Sequence, residues 1–304
     1  MIFVDLSEGL GNQMFQYAYS RYLQELYGGT LYLNTSSFKR KNSTRSYSLN
    51  NFYLYENVKL PSKFRRVIYN FYSKTIRMFI KKVIRMNPYS DKYYFSMIPY
   101  GFYVSSQVFK YLTVPTTKRH NIFVMGTWQT NKYFQSINDK IKDELKVKTE
   151  PNELNKKLIT EINSNQSVCV HIRLGDYTNP EFDYLHVCTS DYYLKGMDYI
   201  VSKVKEPNFY IFSNSSSDIE WIKNNYNFKY KVKYIDLNNP DFEDFRLMYN
   251  CKHFIISNST FSWWAQFLSN NDKKIIVAPS KWQKSNENEA KDIYLDHWKL
   301  IEIE

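Results

Sequence analysis

Residues 2–33 read IFVDLSEGLGNQMFQYAYSRYLQELYGGTLYL. The stretch starts with a short apolar strand, and a turn containing Gly9 and Gly11 follows it. Apolar side chains then recur at helical spacing from about residue 14 to residue 27, and two glycines end the helix before a second strand at 30–33. A strand, a helix and a second strand in this order predict a βαβ unit.

The same alternation continues along the chain. We predict strands at 122–125, 167–172, 209–213, 230–235, 254–257 and 275–278, and helices at 132–145, 190–205, 217–225 and 242–251. Strands that alternate with helices favour doubly wound α/β units built on parallel sheets. The length of 304 residues is close to twice the ~150 residues of one domain. Residues 146–156 are rich in Lys, Glu, Pro and Asn and are the predicted linker, so we expect domains at 1–150 and 151–304.

The composition excludes several classes of protein. Apolar residues make up 43% and charged residues 23%, which is typical of globular chains and unlike disordered, collagen-like or coiled-coil sequences. The three cysteines, Cys169, Cys188 and Cys251, match no metal-binding or redox spacing. The sequence shows no signal peptide and no apolar run of membrane-spanning length. We therefore expect a cytoplasmic protein.

The formal net charge of +11 predicts an anionic partner. Residues 57–90 hold nine basic side chains and no acidic one, so this segment carries nearly the whole excess. Its apolar residues fall at helical spacing, for example Phe64, Val67, Ile68 and Phe71. Two interpretations stay open: a solvated basic face above a core-facing stripe, or peripheral docking to anionic lipid on the inner face of a membrane.

Three motifs are candidates for chemistry, and the first is GLGNQ at 9–13. Its glycines would let the backbone approach a ligand, and the next helix would offer amide groups to an anion. The second motif is HIRLGDY at 171–177, after a buried strand. Ligands bind at that edge of a parallel sheet, and Arg173 could grip a phosphate. The alternatives are a tight turn for the first and an Arg173–Asp176 structural pair for the second.

The third motif is SNSTFSWW at 257–264, where a strand ends in hydroxyl and amide residues before a helix. Backbone amides and side-chain hydroxyls in this position could cradle a phosphate, with Asn258, Ser259 and Thr260 as the candidates. The alternative is helix capping by the hydroxyls and core packing by the two tryptophans. Asp244, about one helix upstream, could accept hydrogen bonds from the edge of a base.

Four segments together resemble a known family: GLGNQMFQYA at 9–18, GTWQTNKYF at 126–134, HIRLGDY at 171–177 and DFRLMYNCKHFIISNSTFSWWAQFL at 244–268. They are similar to the bacterial α-1,2-fucosyltransferases of glycosyltransferase family 11, in the same order and over nearly the whole chain. The resemblance implies a GT-B-like fold with two Rossmann-type domains facing across a cleft, with the acceptor side at 1–150 and the donor side at 151–304. It also implies inverting transfer of L-fucose from GDP-β-L-fucose to the 2-hydroxyl of a terminal galactoside, on a glycan or a lipid-linked O-antigen or capsule oligosaccharide.

The resemblance also implies roles for the site residues. His171 and Asp244 would hold the guanine, and the N-terminal turn would close over the diphosphate or fucose through Gly11, Asn12 and Gln13. The acceptor would lie near Trp128 and Gln129, with an aromatic face against the galactose ring.

The leaving diphosphate needs positive charge, yet the chain contains no Asp-x-Asp pair of the kind that holds a metal in many nucleotide-sugar transferases. We therefore expect no metal and no cofactor, with Arg173 and the amides around Ser259 and Thr260 in that role. For the general base, Asp176 is the first candidate and Glu181 the second. An oxocarbenium-like transition state would lower the need for a strong base.

Two other functions stay open. One is a fucosyltransferase of another linkage, such as α-1,6 or peptide O-fucosylation, or a transferase of another GDP-sugar. The other is a nucleic-acid-binding protein that uses the basic segment with its interleaved aromatic residues. No known nucleic-acid-binding motif supports the second function, so we expect no nucleic-acid partner.

Overall fold

The structure is a computed structural model that describes residues 1–40, 45–79, 87, 90–105, 108–178, 180–185, 187–284 and 290–303, apart from the side chains of residues 77, 176 and 178. The chain divides into two compact units. Unit 1 comprises Met1–Leu145 and Lys291–Ile293, and unit 2 comprises Lys146–Ala290 and the residues from Tyr294 onward. The main division thus falls at 145/146, at the amino end of the segment expected to be the linker and five residues before the expected domain boundary.

Unit 1 contains a five-stranded sheet in the order β3-β2-β1-β5-β4. Every strand pairing in it is parallel. Its elements are β1 (Ile2–Asp5), α1 (Leu10–Tyr27), β2 (Leu31–Asn34), β3 (Val58–Lys59), α2 (Lys63–Phe79), α3 (Asp91–Met97), β4 (Phe102–Val104), β5 (Ile122–Met125) and α4 (Asn138–Glu144).

Unit 2 contains a six-stranded parallel sheet in the order β11-β10-β9-β6-β7-β8. Its elements are α5 (Glu153–Ser164), β6 (Gln166–His171), α6 (Ser190–Lys203), β7 (Pro207–Phe212), α7 (Ser216–Asn225), β8 (Val232–Tyr234), α8 (Asp241–Tyr249), β9 (His253–Ile255), α9 (Thr260–Leu268), β10 (Ile276–Pro279) and β11 (Lys299–Ile301).

Each sheet has a point where the strand order reverses. In unit 1 the chain moves outward from β1 on one side and places β5 on the other, so the reversal lies between β1 and β5. In unit 2 the reversal lies between β6 and β9. Loops at the carboxyl ends of such strand pairs diverge and leave a crevice, which is the usual ligand site of open parallel sheets.

The sheet of unit 1 is covered by aromatic side chains on both faces because successive strand residues point to opposite sides. On one face, Phe3 stacks on Tyr32 and on Tyr69 of α2, with ring centroids 5.0 and 5.1 Å apart. On the other face, Tyr19 of α1 meets Tyr103 in an edge contact at 6.4 Å. The two helices thus cover opposite faces, as a doubly wound fold requires.

Helix α2 corrects one interpretation of the basic segment. The apolar stripe expected to face the core is exposed instead: Phe64 is 74% and Phe71 73% exposed. The helix packs on the sheet through Tyr69 and Ser73, which are 3% and 1% exposed. In the second half of the predicted stripe, Ile76 packs on the core of unit 1 as expected and Phe79 is 54% exposed, while residues 80 and 83 lie outside the described residues.

Two predicted boundaries also differ. Residues 153–156, assigned to the linker, form the first turn of α5, because the Asn152 side chain accepts the amide of Asn155 at 2.9 Å and caps the helix. The predicted helix 132–145 starts later, as α4, after two short 3-10 turns. Thr130 caps the first of these turns and Phe134 is fully buried after it, so local capping and packing replace the expected helical start.

Unit 1 is discontinuous in sequence. The short 3-10 turn Lys291–Ile293 belongs to it although unit 2 lies between. The Asp292 carboxylate accepts the backbone amide of Tyr111 at 2.6 Å and forms an ion pair with Lys132. These bonds fix the returning segment on unit 1.

Among the described residues, no helix has both the length and the apolar character that crossing a membrane requires.

Two glycines with the same backbone conformation provide a test of this packing. Gly29 and Gly101 both have φ of 86°, a left-handed conformation. A Cβ at Gly101 would lie 2.4 Å from the carbonyl oxygen of Asn121, whereas at Gly29 the nearest atom would be 3.7 Å away. Both alanine variants should lose about 1–2 kcal/mol of unfolding free energy from the left-handed backbone. Gly101→Ala should lose roughly 1–3 kcal/mol more from the clash, and equal urea midpoints for the two variants would contradict this packing.

Candidate functional site

The strand order of unit 2 brings the second and third motifs together. HIRLGDY begins at the last residue of β6 and SNST follows β9, and these are the two strands at the reversal. His171 Nδ1 and the Ser257 hydroxyl form a 3.0 Å hydrogen bond across this point. Burial, reinforced by the positive charge of Arg173, lowers the pKa of His171 to about 3. The imidazole is therefore neutral at physiological pH and offers one donor and one acceptor.

Arg173 is the main cation at this edge. It is partly exposed, and its guanidinium carbon lies 5.3 Å from the ring centre of Tyr177. The Tyr177 hydroxyl donates to the Asn258 carbonyl at 3.1 Å and so ties the arginine loop to the loop after β9. The arginine side chain is therefore supported by an aromatic ring that is itself fixed to the neighbouring loop.

In the loop after β9, some polar side chains hold the loop in place and others remain accessible to solvent. The amide of Asn258 donates to the carbonyls of Leu185 and Trp282, at 2.8 and 2.9 Å, so this side chain holds the loop instead of facing a ligand. The Ser259 hydroxyl accepts the amide of Phe261 and caps α9. Thr260, the first residue of α9, is only partly buried. Its turn carries the amides that have no acceptor inside the helix.

The two tryptophans of the third motif are core residues. Trp263 and Trp264 are both fully buried, and Trp263 stacks on Phe267 with ring centroids 5.3 Å apart. They anchor α9 and thereby fix the direction of its first turn.

Asp244 lies in the first turn of α8, where several acidic side chains are close together. Burial, reinforced by the charges of Asp241, Glu243 and Asp236, raises the pKa of Asp244 to about 6. The Asn239 side chain donates to its Oδ1 at 2.9 Å and fixes the carboxyl group. Asp244 is thus an oriented acceptor whose charge is lost slightly below neutral pH.

Asp218 of α7 contacts the arginine loop, although it is not among the predicted site residues. The backbone amide of Gly175 donates to its carboxylate, which also feels the charge of Arg173, while burial raises its pKa. It lies in the first turn of α7, beyond the end of β7. The sequence signal that could have identified Asp218 is its position after β7, the strand next to β6.

In unit 1, the first motif and the GTWQ segment lie on either side of the other strand reversal, after β1 and β5. Gln129 donates from Nε2 to Oδ1 of Asn12 at 2.8 Å and joins the two loops. Gln13 is fully buried, and its amide bonds the carbonyls of Glu8 and Ser46. Asn12 stays partly exposed, whereas Gln13 is a support for the turn.

The left-handed residue of this turn is Glu8, which the motif analysis did not select. Its φ is 66°, an uncommon conformation for a residue with a Cβ. The amide of Asn12 donates to its carboxylate, and the residue remains exposed. Partial desolvation raises the pKa of Glu8, against the opposing effects of Asn12 and Arg45. An acid in the turn after β1, one residue before the glycine motif, was the available signal.

The expectation for Trp128 was wrong. The indole is 1% exposed and packs on Tyr19 with ring centroids 4.2 Å apart and on Tyr133 at 5.3 Å. Its rings are therefore covered and present no face to a sugar. Gly126 has φ of 141°, and a Cβ there would lie 2.6 Å from the Ser105 carbonyl oxygen, so the segment folds tightly into the core. Gln129 is 6% exposed and reaches the site through Asn12.

The two carboxylates expected to act as base are placed unequally. Glu181 is exposed, in the short 3-10 segment Pro180–Leu185. Asp176 lies in the turn Gly175–Thr178, and its side chain is outside the described part of the chain. Across the ranges that the structure describes, no three His, Cys, Asp or Glu side chains group as metal ligands would.

Solved structures share this architecture. The α-1,6-fucosyltransferase NodZ from Bradyrhizobium, in crystals soaked with GDP-fucose, matches with a TM-score of 0.51 and 14% identity, over 88% of this chain and 92% of that chain. The expected GT-B-like fold, with two parallel-sheet α/β units, is confirmed. At this identity the likeness concerns the fold alone.

Sequence relatives extend over the whole chain. The alpha-1,2-colitosyltransferase of Escherichia coli is 30% identical over 310 residues, 98% of this chain and 97% of the relative. The O-antigen biosynthesis glycosyltransferase WbnK of Escherichia coli is 31% identical over 325 residues, 96% of this chain and 98% of the relative. The model of the family Glycosyl transferase family 11 matches residues 1–302. This chain therefore belongs to glycosyl transferase family 11, as its motifs indicated.

Proposed function

We propose that this glycosyltransferase moves L-fucose from GDP-β-L-fucose to the 2-hydroxyl of a terminal galactoside, with inversion and without a metal. The observation that carries the proposal is the grouping of His171, Arg173 and the first turn of α9 at the strand reversal of unit 2. An aromatic-supported cation beside a helix N-terminus suits a diphosphate. A relative that carries an α-1,2 transferase name supports the linkage.

In this proposal, unit 2 binds the nucleotide. Asp244, held by Asn239, would accept the N–H groups on the guanine edge. His171 stays neutral and presents a hydrogen-bonding ring beside Ser257. A carboxylate acceptor suits guanine, which has N–H donors on that edge.

The transfer itself needs charge stabilisation at the leaving group. The bond between the fucose anomeric carbon and the diphosphate oxygen breaks as the acceptor oxygen bonds to the opposite face of that carbon, and GDP leaves with the electron pair. Arg173 and the amides at the start of α9 would stabilise the negative charge that develops on the diphosphate. Preorganisation favours this role, because Tyr177 and Asn258 hold the arginine loop before any ligand binds.

The acceptor hydroxyl loses its proton during this step, and a carboxylate on the expected acceptor side, 1–150, is a candidate to take it. We propose Glu8 as the group that takes the proton, beside Asp176 and Glu181, because Asn12 orients it and its pKa is raised towards the working pH. Asn12 and Gln129 would then contact the acceptor sugar with their remaining hydrogen-bonding capacity.

We also propose the place of the reaction and the nature of the acceptor. The name of the relative WbnK includes O-antigen biosynthesis, which supports a bacterial surface-glycan acceptor, lipid-linked during assembly. The cytoplasmic face of an anionic membrane fits such an acceptor and the basic excess in 57–90.

A second donor is favoured by one observation. The relative of 30% identity is named for colitose transfer. Activated colitose is therefore the alternative donor sugar, and the same diphosphate site would serve it.

The direct test is transfer in vitro. The protein is incubated with GDP-fucose or with activated colitose, without divalent metal, against lactose, Galβ1,3GalNAc and Galβ1,3GlcNAc, and the product linkage is determined by NMR. We expect a fucosyl group on the galactose 2-hydroxyl. In the same assay, Arg173→Ala should reduce transfer by about a hundred- to a thousandfold while the fold is kept.

Lys203→Ala is the matched control, because it also removes a positive charge. This exposed lysine is the last residue of α6 and is not part of the candidate site. Near-normal turnover of a folded Arg173→Ala protein would exclude a role for Arg173 in stabilising the leaving diphosphate. Dependence on a divalent metal would contradict the metal-free mechanism. Exclusive use of activated colitose would show that the donor is activated colitose and not GDP-fucose.

GDP affinity should depend on pH through Asp244. Its pKa of about 6 means that the carboxylate is charged above that pH and protonated below it. Affinity measured by calorimetry should therefore fall as the pH drops below about 6, by up to about tenfold per pH unit. His171, with a pKa of about 3, does not titrate in this range.

Asp244→Asn is the control for the phosphate of GDP itself, which also titrates near that pH. The variant should bind GDP more weakly. The pH dependence of its GDP affinity should then come only from titration of the GDP phosphate. Identical pH profiles for the wild type and the variant would show that Asp244 does not contact the base.

Glu8→Gln should lower the rate of transfer by about a hundredfold or more, because an amide cannot take the acceptor proton. GDP affinity should be unchanged. Glu8→Gly, which accepts the left-handed φ of 66° without strain, should show the same loss with an intact fold. Glu181→Gln serves as the comparison, and a Glu8→Gln enzyme of normal turnover would exclude Glu8 as the base.

A further inference from the structure

Helix α2 has two apolar faces, and only one of them is used inside unit 1. Tyr69 and Ser73 face the sheet and are buried. Phe71 stands two residues after Tyr69, roughly 200° around the helix, and is 73% exposed. The sheet therefore covers one side of α2, and a second apolar side points to solvent.

The exposed apolar residues lie along one side of the helix, with the polar Thr75 between Phe71 and Met78. They recur at intervals of three, four and seven residues, and they are Phe64 (74% exposed), Val67 (59%), Phe71 (73%) and Met78 (44%). Ile68 adjoins them and is 52% exposed. Isolated exposed apolar residues are ordinary, but a contiguous stripe of large ones marks an interaction surface.

Basic side chains border this stripe. Lys63 lies one turn before Val67, and Lys74 lies one turn before Met78; both lysines are exposed. Arg65 lies at the other border, one turn before Ile68, and its guanidinium is held over the ring of Tyr32 at 5.0 Å. No acidic residue occurs between 57 and 90. An apolar stripe between cationic borders is complementary to the head groups and upper chains of an anionic bilayer.

A cavity of about 560 Å³ opens beside the same helix. Its walls are aromatic, including Phe3 and Phe123, and its polar lining includes Arg65, Lys118 and Arg119 but no acid. Ile68 and Arg65 belong both to the exposed side of α2 and to this cavity. The cavity therefore offers an apolar interior and cationic groups next to the helix that would lie on the membrane.

We propose that α2 docks unit 1 on an anionic phospholipid bilayer, with one anionic lipid seated in this cavity by its phosphate. Phe3 and Phe123 stand near the amino ends of β1 and β5, whereas Glu8 and Gln129 follow the carboxyl ends of the same strands. Docking thus uses the edge of the unit 1 sheet opposite the loops that carry Glu8 and Gln129.

Vesicle co-sedimentation of the full-length protein tests the proposal independently of its activity. At low salt the protein should sediment with vesicles that contain phosphatidylglycerol and not with pure phosphatidylcholine. Phe64→Ser with Phe71→Ser, or Lys63→Gln with Lys74→Gln, should weaken binding by about tenfold or more. Added salt should release the protein because it screens these charges.

The matched controls lie in unit 2. Leu154→Ser removes an apolar residue that is 62% exposed, and Lys203→Gln with Lys205→Gln removes two exposed charges. Both controls should bind vesicles like the wild type. All variants should transfer sugar to a soluble acceptor at wild-type rates, so failure of docking and failure of the proposed function remain distinguishable.

Three results would overturn the docking role: no sedimentation at low salt, equal weakening by the unit 2 controls, or a dimer in analytical ultracentrifugation that the Phe64 and Phe71 changes abolish. The third would assign the stripe to a second copy of the chain.

The cavity is tested with soluble dihexanoyl phosphatidylglycerol in calorimetry. Binding of this lipid, weakened about fivefold or more by Lys118→Gln, supports the seated lipid. Equal affinity for inorganic phosphate would identify a free-phosphate site and contradict it.

Discussion

The parallel pairing of β6 with β9 is the constraint on which the donor side depends. Val168, Cys169 and Val170 pair in register with residues 253–255, so both strands end at the same edge with the chain leaving in two directions. This placement brings His171 within 3.0 Å of Ser257 although 86 residues separate them. Unit 1 repeats the arrangement with β1 and β5, where Gln129 meets Asn12. In each unit the two loops at the reversal are joined by a side-chain hydrogen bond.

Most of the polar side chains in these loops are used to hold the loops. Asn258 and Gln13 are buried and bonded to backbone carbonyls, and such groups cannot lose a partner without an energetic cost of about 1–3 kcal/mol each. The groups that remain accessible are few, chiefly Arg173, Thr260 and Glu8. A rigid frame with a small number of exposed functional groups is the arrangement that electrostatic catalysis requires, because little reorganisation then occurs during reaction.

Much of the fold could be predicted from sequence periodicity. Residues 122–125 form a strand as predicted, and the strand–helix alternation predicted doubly wound units. The start of α5 was missed because 146–156 looks like a linker in composition, while one cap at Asn152 decides the helix. The exposure of Phe64 and Phe71 was not predictable either, since helical spacing shows that a stripe exists but not which side the sheet covers.

The site was predictable at the level of loops and not of side-chain roles. The motifs after β1, β5, β6 and β9 mark the right sheet edges because parallel topology forces ligands there. Whether Trp128 or Asn258 faces a ligand depends on packing partners far away in sequence, such as Tyr19 and Leu185. Glu8 stands one residue before the glycine motif, but that position alone does not indicate a role, which its backbone angle and its bond to Asn12 suggest.

The return of Lys291–Ile293 to unit 1 has a consequence for how the chain is made. Synthesis runs from the amino end, so the strands of unit 1 emerge long before Asp292, the acceptor for the Tyr111 amide. During translation unit 1 is therefore incomplete until residues 291–293 have been made, long after residue 145, and a fragment that stops at Leu145 lacks a piece of the surface of unit 1. Unit 1 is thus completed only after the intervening residues 146–290 of unit 2 have been synthesised.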